Sequence, residues 1–176
     1  FYEQPGLVLD VGINGALTTM DAAKKHGVER YIVASSSEVY QEPTHVPTTE
    51  GERIIIPDVS NPRFSYSGGK LITELLTLHY LQGVHKRIIF RPHNVYGPDM
   101  GWEHVVPDFM RRIRETAHTA ENGQLPFAIQ GNGKETRAFC YIEDAVAGII
   151  IAAEQGADAQ IYHLGVDEEI EIADRK

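Results

Sequence analysis

The spacing of apolar residues predicts a helix, a strand and a loop at the beginning of the chain. Residues 7–26 carry apolar side chains at helical spacing, and Gly27 follows where a helix is expected to end. The apolar run 31–34 predicts a short buried strand. The prolines within residues 41–62 exclude a long helix and predict a loop.

A second helix and a second strand follow, and together they indicate the fold class. Helical spacing with a broad apolar face returns over residues 65–81. A strand is expected at residues 87–90, and Pro92 is expected to stop it. A strand, a helix and a strand of these lengths are what a parallel sheet flanked by helices requires. The sequence therefore predicts an α/β fold.

The second half of the chain is expected to hold two helices and three short strands. The helices are predicted at residues 105–114 and 144–154, the latter capped near Glu143 or Asp144. The strands are predicted at residues 127–129, 138–142 and 161–164. A further element, interpreted as the start of a helix, begins at Ile170.

Composition and charge narrow the class of protein. The 176 residues suit one domain, and a content of 42% hydrophobic and 23% charged residues is typical of globular proteins. A formal charge of -9 argues against nucleic-acid binding through the overall field. The only cysteine, Cys140, excludes an intrachain disulfide and a multi-cysteine zinc site, and it favours a cytoplasmic location. No membrane segment and no metal site are expected, because the apolar runs are short and the eight histidines are scattered.

Tyr66 and Lys70 are four residues apart at the start of the predicted second helix, so they share one face. An adjacent ammonium stabilises a phenolate, which would let Tyr66 exchange protons with a substrate hydroxyl. By itself this spacing favours an exposed pair without a function. The context favours a catalytic role for the pair. Three serines follow the predicted strand at 31–34, and ligands of α/β sheets lie outside the carboxyl ends of the strands. A serine there can hydrogen-bond the hydroxyl that Tyr66 deprotonates.

Four motifs occur in order along the chain. They are Ala-Ser-Ser-Ser-Glu-Val-Tyr at 34–40, Tyr-Ser-Gly-Gly-Lys at 66–70, Arg-Pro-His-Asn-Val-Tyr-Gly-Pro at 91–98 and Gly-Asn-Gly-Lys-Glu-Thr-Arg-Ala-Phe at 131–139. Together they resemble the extended short-chain dehydrogenase/reductase superfamily, in its NAD-dependent nucleotide-sugar epimerase/dehydratase branch. The resemblance implies a Rossmann-type parallel sheet flanked by helices, present in part. Residues 1–98 would be the C-terminal half of the NAD-binding domain, and residues 99–176 mainly a small substrate-binding region interleaved with it.

The resemblance also implies the roles of the site residues. Tyr66 would be the acid/base, Lys70 would bind the nicotinamide ribose and activate Tyr66, and Ser36 would orient the sugar. Glu38 would act as a base in a dehydratase or decarboxylase, or would only cap the loop after the strand. The residues expected around NAD are Ala34, Ser35, Tyr66, Lys70, Pro92 and His93. The residues expected to bind the sugar nucleotide are Ser36, Ser37, Asn94 and Arg137.

Two features depart from the family pattern. The Gly-rich dinucleotide turn is absent, so the chain is expected to be an internal piece that lacks the N-terminal half and is inactive by itself. Gly12 stands where the family usually has an Asn whose side chain hydrogen-bonds to the backbone near the active site. This departure affects the fine positioning of the active-site groups.

The expected activity is NAD-dependent epimerisation of a nucleoside-diphosphate sugar through a transient keto intermediate. Dehydration or decarboxylation with Glu38 as base is the alternative, placed second because dehydratases of the family usually carry a distinctive, often acidic, residue at the position of Ser37. A non-catalytic binding protein and a redox enzyme for non-nucleotide carbonyls are two further interpretations. The Ser-Tyr-Lys trio favours catalysis, and Asn94 and Arg137 favour a nucleotide sugar. The intact protein is expected to be a homodimer.

Overall fold

The structure of the protein is a computed structural model that describes residues 2–120, 125, 127–129 and 131–172. Its α-helices are α1 (Pro5–Lys25), α2 (Ser65–Leu75), α3 (Val105–Thr116) and α4 (Ile142–Gln155). Its strands are β1 (Arg30–Ala34), β2 (Lys86–Pro92), β3 (Val95–Tyr96), β4 (Thr136–Arg137), β5 (Cys140–Tyr141), β6 (Gln160–Leu164) and β7 (Ile170–Glu171). A π-helical turn, Leu76–Tyr80, continues α2, and 3-10 turns lie at Ser37–Val39, Pro62–Phe64 and Ala117–Thr119. None of the helices in the described ranges has the length and apolar character needed to cross a bilayer.

Three parallel strands form the central sheet in the order β1-β2-β6. Ile32 pairs with Ile88 across the first ladder, and Ile89 pairs with Ile161 across the second. Ile88 and Ile89 are fully buried, because β2 has a strand on each side and helix α4 packs against it. The predicted parallel α/β sheet is confirmed, and its third strand comes from the second half of the chain.

Helix α1 packs against α2 and holds it beside the sheet. Pro5 opens α1, where its missing N–H costs nothing, and Gly27 follows its end with a φ of +62° that favours glycine. A buried cluster that includes Met20 and Leu81 joins the C-terminal turns of α1 to the chain after the π-helical turn. Both side chains are fully buried, and each contributes about 1.5–3 kcal/mol through burial. The helices predicted for these segments are confirmed, but their apolar faces are buried only in part, since Val11 and Leu75 are exposed.

Two small sheets connect the second half of the chain to the end of β2. Strand β3 pairs with β5 in parallel, and β4 pairs with β7 in antiparallel orientation. The Cys140 N–H donates a hydrogen bond to the Asn94 carbonyl over 3.2 Å. The ring of Tyr96 makes edge-on contacts with Phe139 and Tyr141, with centroids 6.2 Å and 5.5 Å away. These contacts bring the motif at 131–139 next to the motif at 91–98.

The prediction of a strand at residues 127–129 is wrong, because these residues have no regular secondary structure. The ring of Phe127 packs edge-on against Phe109 of α3, with 5.0 Å between centroids. Arg112 of α3 donates a hydrogen bond to the Ala128 carbonyl. A strand needs a ladder partner, and here the side chains of α3 hold the segment instead.

Several further element boundaries differ from those predicted. Strand β2 continues to Pro92 instead of stopping before it, because Pro92 still pairs with Leu164 of β6. Helix α4 begins at Ile142, and Glu143 and Asp144 lie in its first turn, where carboxylates favour the positive end of the helix dipole, rather than at the cap. The strand predicted at 138–142 is shortened to β5, because the helix takes Ile142. The element that begins at Ile170 is strand β7 rather than a helix, since its backbone pairs with β4.

Candidate active site

The face of helix α2 that carries Tyr66 and Lys70 lies against the carboxyl end of strand β1. Lys70 Nζ donates a hydrogen bond to the Ala34 carbonyl over 2.8 Å, and it lies 5.6 Å from the centroid of the Tyr66 ring. Burial lowers the pKa of the Lys70 ammonium from its ordinary value, because a charged group loses solvation there. The two residues therefore share one face, as their spacing predicted, and Lys70 connects that face to the end of the strand.

The serines that follow β1 make different hydrogen bonds. Ser36 is the N-cap of the 3-10 turn Ser37–Val39, and its Oγ accepts a hydrogen bond from the Glu38 N–H over 3.2 Å. Because Oγ is the acceptor in this bond, its own hydroxyl proton remains for another acceptor. Ser35 and Ser36 are both buried, and the Ser35 hydroxyl donates to Glu74. The turn thus has a serine cap, and the Glu38 side chain is exposed.

A cleft of about 830 Å³ opens beside this turn. The predicted site residues that line it are Ser37, Glu38, His93, Asn94 and Arg137. The predicted site residues that are not part of the lining, within the described ranges, are Ala34, Ser35, Ser36, Tyr66, Lys70 and Pro92. The cleft therefore joins Glu38 to the predicted sugar-nucleotide residues, whereas the Tyr66–Lys70 face lies at the end of β1.

Most residues of the cleft wall were not predicted as site residues, and they include three with polar side chains, Tyr40, Arg63 and His163. The Tyr40 hydroxyl and His163 Nε2 share a hydrogen bond of 2.6 Å, and the His163 N–H donates to Glu50 over 3.0 Å. Arg63 is exposed and stands three residues before Tyr66. This closeness in sequence to Tyr66 is the signal that could have identified Arg63.

Asn94 and Arg137 are held by the connection between the two small sheets. Asn94 has a φ of +35°, and its Nδ2 donates to the Ala138 carbonyl over 3.0 Å. Arg137 is an exposed residue of β4, and its Nη1 donates to the carbonyl of Thr136. The Asn94 amide therefore fixes the spacing between its own loop and the segment that carries Arg137.

Glu135 stabilises the turn that precedes β4. Its carboxylate accepts hydrogen bonds from the N–H groups of Asn132 and Gly133, over 3.3 Å and 3.0 Å. Backbone N–H groups, first its own and then that of Asn132, hold the pKa of Glu135 below its ordinary value. Gly131 and Gly133 have φ angles of +79° and +80°, which explains why the motif carries glycine at both positions.

A buried ion pair next to the Ser36 turn was also not predicted from the sequence. Arg91 of β2 and Glu74 of α2 pair through two parallel bonds, Nε–Oε1 at 2.9 Å and Nη2–Oε2 at 2.6 Å. Burial opposes the charge of Arg91, but hydrogen bonds and attraction from Glu74 raise its pKa overall. Burial is the main cause that raises the pKa of Tyr40, whose hydroxyl accepts a hydrogen bond from Arg91. An arginine directly after an apolar strand segment is the sequence feature that could have indicated a buried partner.

His93 and His163 form a pair in the cleft wall. Their ring centroids are 4.7 Å apart, and burial is the main cause that lowers the pKa of both. His93 Nε2 is buried and has no hydrogen-bond partner within the described residues. No group of three or more His, Cys, Asp and Glu side chains suited to a metal ion occurs in the part of the chain that the structure describes.

Residues 2–165 match the model of a family described as the NAD dependent epimerase/dehydratase family. The chain belongs to this family. The match covers most of the chain, including all four motifs singled out in the sequence. The family membership that the motifs implied is therefore confirmed.

Curated members of the NAD-dependent epimerase/dehydratase family include relatives of similar sequence. A UDP-N-acetyl-alpha-D-glucosaminuronate decarboxylase of Bacillus cytotoxicus is 33% identical over 169 residues, which are 94% of this chain and 49% of the relative. A dTDP-glucose 4,6-dehydratase of Streptomyces antibioticus is 27% identical over 168 residues, which are 94% of this chain and 46% of the relative. The chain spans about half the length of the curated relatives it matches.

Solved structures of the family confirm the fold. The UDP-glucose 4-epimerase of Thermotoga maritima, solved with UDP-glucose, superposes with a TM-score of 0.78 at 24% identity. The superposition covers 97% of this chain and 52% of that chain. At this identity the likeness concerns the fold alone, and it confirms the predicted Rossmann-type sheet.

Proposed function

We propose that the intact protein uses NAD to transform a nucleoside-diphosphate sugar, and that Tyr66 accepts the proton of the reacting sugar hydroxyl. The observation that carries this proposal is the 2.8 Å hydrogen bond from Lys70 Nζ to the Ala34 carbonyl. This bond holds the Tyr66 face of α2 at the carboxyl end of β1, outside which ligands of α/β sheets lie. The Lys70 ammonium lies 5.6 Å from the centroid of the Tyr66 ring on the same face of α2, and the Tyr66 hydroxyl is the group that we assign as general base.

The donors at the end of β1 suit the nicotinamide end of NAD. An ammonium has three N–H donors, of which the Ala34 carbonyl uses one, and the others suit the hydroxyls of a ribose. A polar partner there would also replace part of the solvation that burial removes from Lys70. When bound, NAD accepts a hydride from the oxidised carbon and returns it. On the family pattern, we assign the surroundings of NAD to Ala34, Ser35, Tyr66, Lys70, Pro92 and His93.

The wall of the cleft suits a nucleoside diphosphate. Arg137 and Arg63 both line it, and the planar fork of an arginine matches the oxygens of a phosphate. Asn94 lies in the same wall and adds an amide. The same lining also holds the carboxylates of Glu38, Asp167 and Glu169, so the phosphates would be bound by direct contacts with these two arginines rather than by a positive field of the cleft. The two relatives above are named for UDP-linked and dTDP-linked sugars.

Epimerisation is the reaction that we propose first. Hydride leaves and returns at one carbon, so the chemistry needs only Tyr66, which takes the hydroxyl proton and gives it back, and Ser36, which holds the same hydroxyl. The bond from the Glu38 N–H occupies Ser36 Oγ as an acceptor, which leaves the Ser36 proton to donate to the sugar oxygen.

Glu38 supports dehydration or decarboxylation as a second candidate. Its side chain is exposed and lines the cleft together with Asn94 and Arg137. In dehydration, a carboxylate there is placed to remove the proton beside the newly formed ketone, so that hydroxide can leave. In decarboxylation, CO₂ leaves instead, and the same group is placed to return a proton to the enolate that remains. The 33% and 27% identical relatives are named as a decarboxylase and a 4,6-dehydratase.

Deuterium exchange distinguishes these candidates. The intact enzyme is incubated with NAD and UDP- or dTDP-linked sugars in D₂O, and the products are examined by NMR. Label next to the oxidised carbon that disappears in Glu38→Gln, but persists in the control Glu42→Gln in the exposed part of the same loop, supports a base at Glu38. An epimerised product without label supports epimerisation. NAD binding without turnover of any sugar nucleotide would instead favour a non-catalytic protein.

Three expectations from the sequence stay predictions. They are the division of the chain near residue 98, the homodimeric state of the intact protein and its cytoplasmic location.

A further inference from the structure

The segment from Ser35 to Tyr40 is fastened at both ends to one ion pair. The Ser35 hydroxyl donates a hydrogen bond to Glu74 Oε1, and Arg91 Nη1 donates a hydrogen bond to the Tyr40 hydroxyl. The Arg91 guanidinium also lies 4.8 Å from the centroid of the Tyr40 ring. Because Glu74 and Arg91 are joined to each other by two bonds, the turn that carries Ser36 is closed around the pair.

The pair is buried to an extent that is costly for charged groups. The side chains of Arg91 and Glu74 are only 2% and 4% exposed. Removing two charges from water costs several kcal/mol for each ion, and well-packed apolar residues often give the same or greater stability. Net stability is therefore a weak explanation for the pair, whereas its fixed geometry has a direct structural consequence for the turn.

Glu74 also connects the turn to the face of α2 that carries the acid/base. Tyr66, Lys70 and Glu74 follow one another in steps of four residues, so they lie along one face. Lys70 bonds the carbonyl of Ala34, and Glu74 bonds the hydroxyl of the next residue along the chain. Two successive turns of α2 thus contact two successive residues at the end of β1, and this fixes the register between helix and strand.

We propose that the Glu74–Arg91 pair positions the turn that carries Ser36 and Glu38 relative to Tyr66. This inference rests on the proposed function, in which these three residues act on the sugar. Glu74 and Arg91 do not belong to the cleft lining within the described residues, so the pair acts through the turn and is a positioning element. A small displacement of reacting groups lowers a rate strongly, by about 10²-fold for 1 Å.

Ser35→Ala in the intact protein tests the proposal, because it removes one bond between the turn and the pair and leaves the pair itself intact. The expected result is a kcat about tenfold lower, with the KM for the sugar nucleotide within about twofold of wild type. The Ser35 hydroxyl is bonded to Glu74, so Ser35 would line NAD through its backbone, which the substitution retains, and the Kd for NAD is also expected to stay within about twofold. Tyr40→Phe removes the bond at the other end, together with the hydrogen bond between Tyr40 and His163 in the cleft wall, so its expected result is a lower kcat and faster exchange in the turn, without a condition on KM. This second variant also decides the question if Ser35→Ala does not fold.

Thr77→Val is the matched control. Thr77 is fully buried, and its hydroxyl donates to the Thr73 carbonyl over 2.8 Å within the same helical segment. The substitution removes a buried hydrogen bond without touching the turn, although a bond to a neutral carbonyl is weaker than the bond from Ser35 to a carboxylate. Its kcat is expected to equal that of wild type. An equal loss of kcat in Thr77→Val and Ser35→Ala would overturn the proposal, because general destabilisation would then explain both.

Hydrogen exchange measures the turn independently of activity. The N–H groups of Glu38, Val39 and Tyr40 bond to Ser36 or Ser37 within the turn. Their exchange is expected to be about fivefold faster in Ser35→Ala, and unchanged in Thr77→Val.

Each remaining outcome decides between the two proposals. Unchanged exchange in Ser35→Ala would overturn the positioning role, whatever happens to kcat. A raised Kd for NAD with normal kcat would also overturn it, because Ser35 would then act on the cofactor. Faster exchange in a protein whose wild type converts no sugar nucleotide would support the role of the pair in holding the turn and would refute the proposed function.

Discussion

Replacing Tyr66 with Phe in the intact protein tests the proposed function by removing a single hydroxyl. The aromatic ring remains, so the contact with the Lys70 ammonium at 5.6 Å from the ring centroid is retained. The bond from Lys70 to the Ala34 carbonyl does not involve Tyr66 and is also retained. Because the proton acceptor is lost, turnover is expected to fall by about 10²-fold or more, which is about 3 kcal/mol of activation free energy.

The assay combines turnover and cofactor affinity. Conversion of the sugar nucleotide is followed by chromatography, and NAD affinity is measured by isothermal titration, with an expected change of less than about twofold. Tyr80→Phe is the control, because Tyr80 lies at the end of the same helical segment and its hydroxyl donates to the surface residue Asp21 over 2.7 Å. Wild-type turnover is expected for this control. A Tyr66→Phe enzyme that keeps more than about a tenth of the wild-type rate would refute the general-base assignment.

Three further predictions follow from the same structure. Lys70→Ala is expected to weaken NAD binding and to slow turnover, and an unchanged NAD affinity would show that Lys70 does not contact the ribose. The 176-residue chain by itself is expected to show no NAD binding in isothermal titration, because it contains no Gly-rich dinucleotide turn, and micromolar binding would contradict this. Hydrogen bonds from Arg87 lower the pKa of Asp158 from 3.8 to about 2, so this pair stabilises the fold above pH 3.8 and loses its contribution as the pH falls through 2. The full shift corresponds to about 2 kcal/mol, which solvent screening reduces to about 1 kcal/mol or less at an Asp158 side chain that is 40% exposed. Thermal unfolding of wild type and Asp158→Asn is therefore expected to differ at pH 5 and to converge near pH 2, and a constant difference would contradict the assignment.

Elements with a strong local pattern could be predicted from the sequence. Helix α1 and strands β1 and β6 lie within two residues of the expected bounds, because an apolar face at period 3.6 or a short apolar run is a local property of the chain. The helix predicted at 65–81 is also present, with its last part as the π-helical turn Leu76–Tyr80. Tyr66 and Lys70 share a face for the same local reason.

Short apolar segments could not be assigned, because their structure depends on distant partners. Residues 127–129 have the composition of a strand, yet Phe127 and Ala128 contact side chains of α3 instead of a ladder. Ile170 forms a strand only because Thr136 and Arg137 offer backbone to pair with it. A run of two or three apolar residues is compatible with strand, helix or loop, and the choice is made by tertiary contacts.

The Glu74–Arg91 pair shows the same limit within the candidate site. The motifs identify Ser36, Tyr66 and Lys70 from local sequence, but Glu74 and Arg91 meet only after helix α2 has packed beside β2. No periodicity encodes such a contact, since it joins two elements through side chains alone. Residues that the motifs identify therefore require support from residues that they do not identify, and substitutions limited to the motif positions would leave the geometry of the Ser36 turn unexplained.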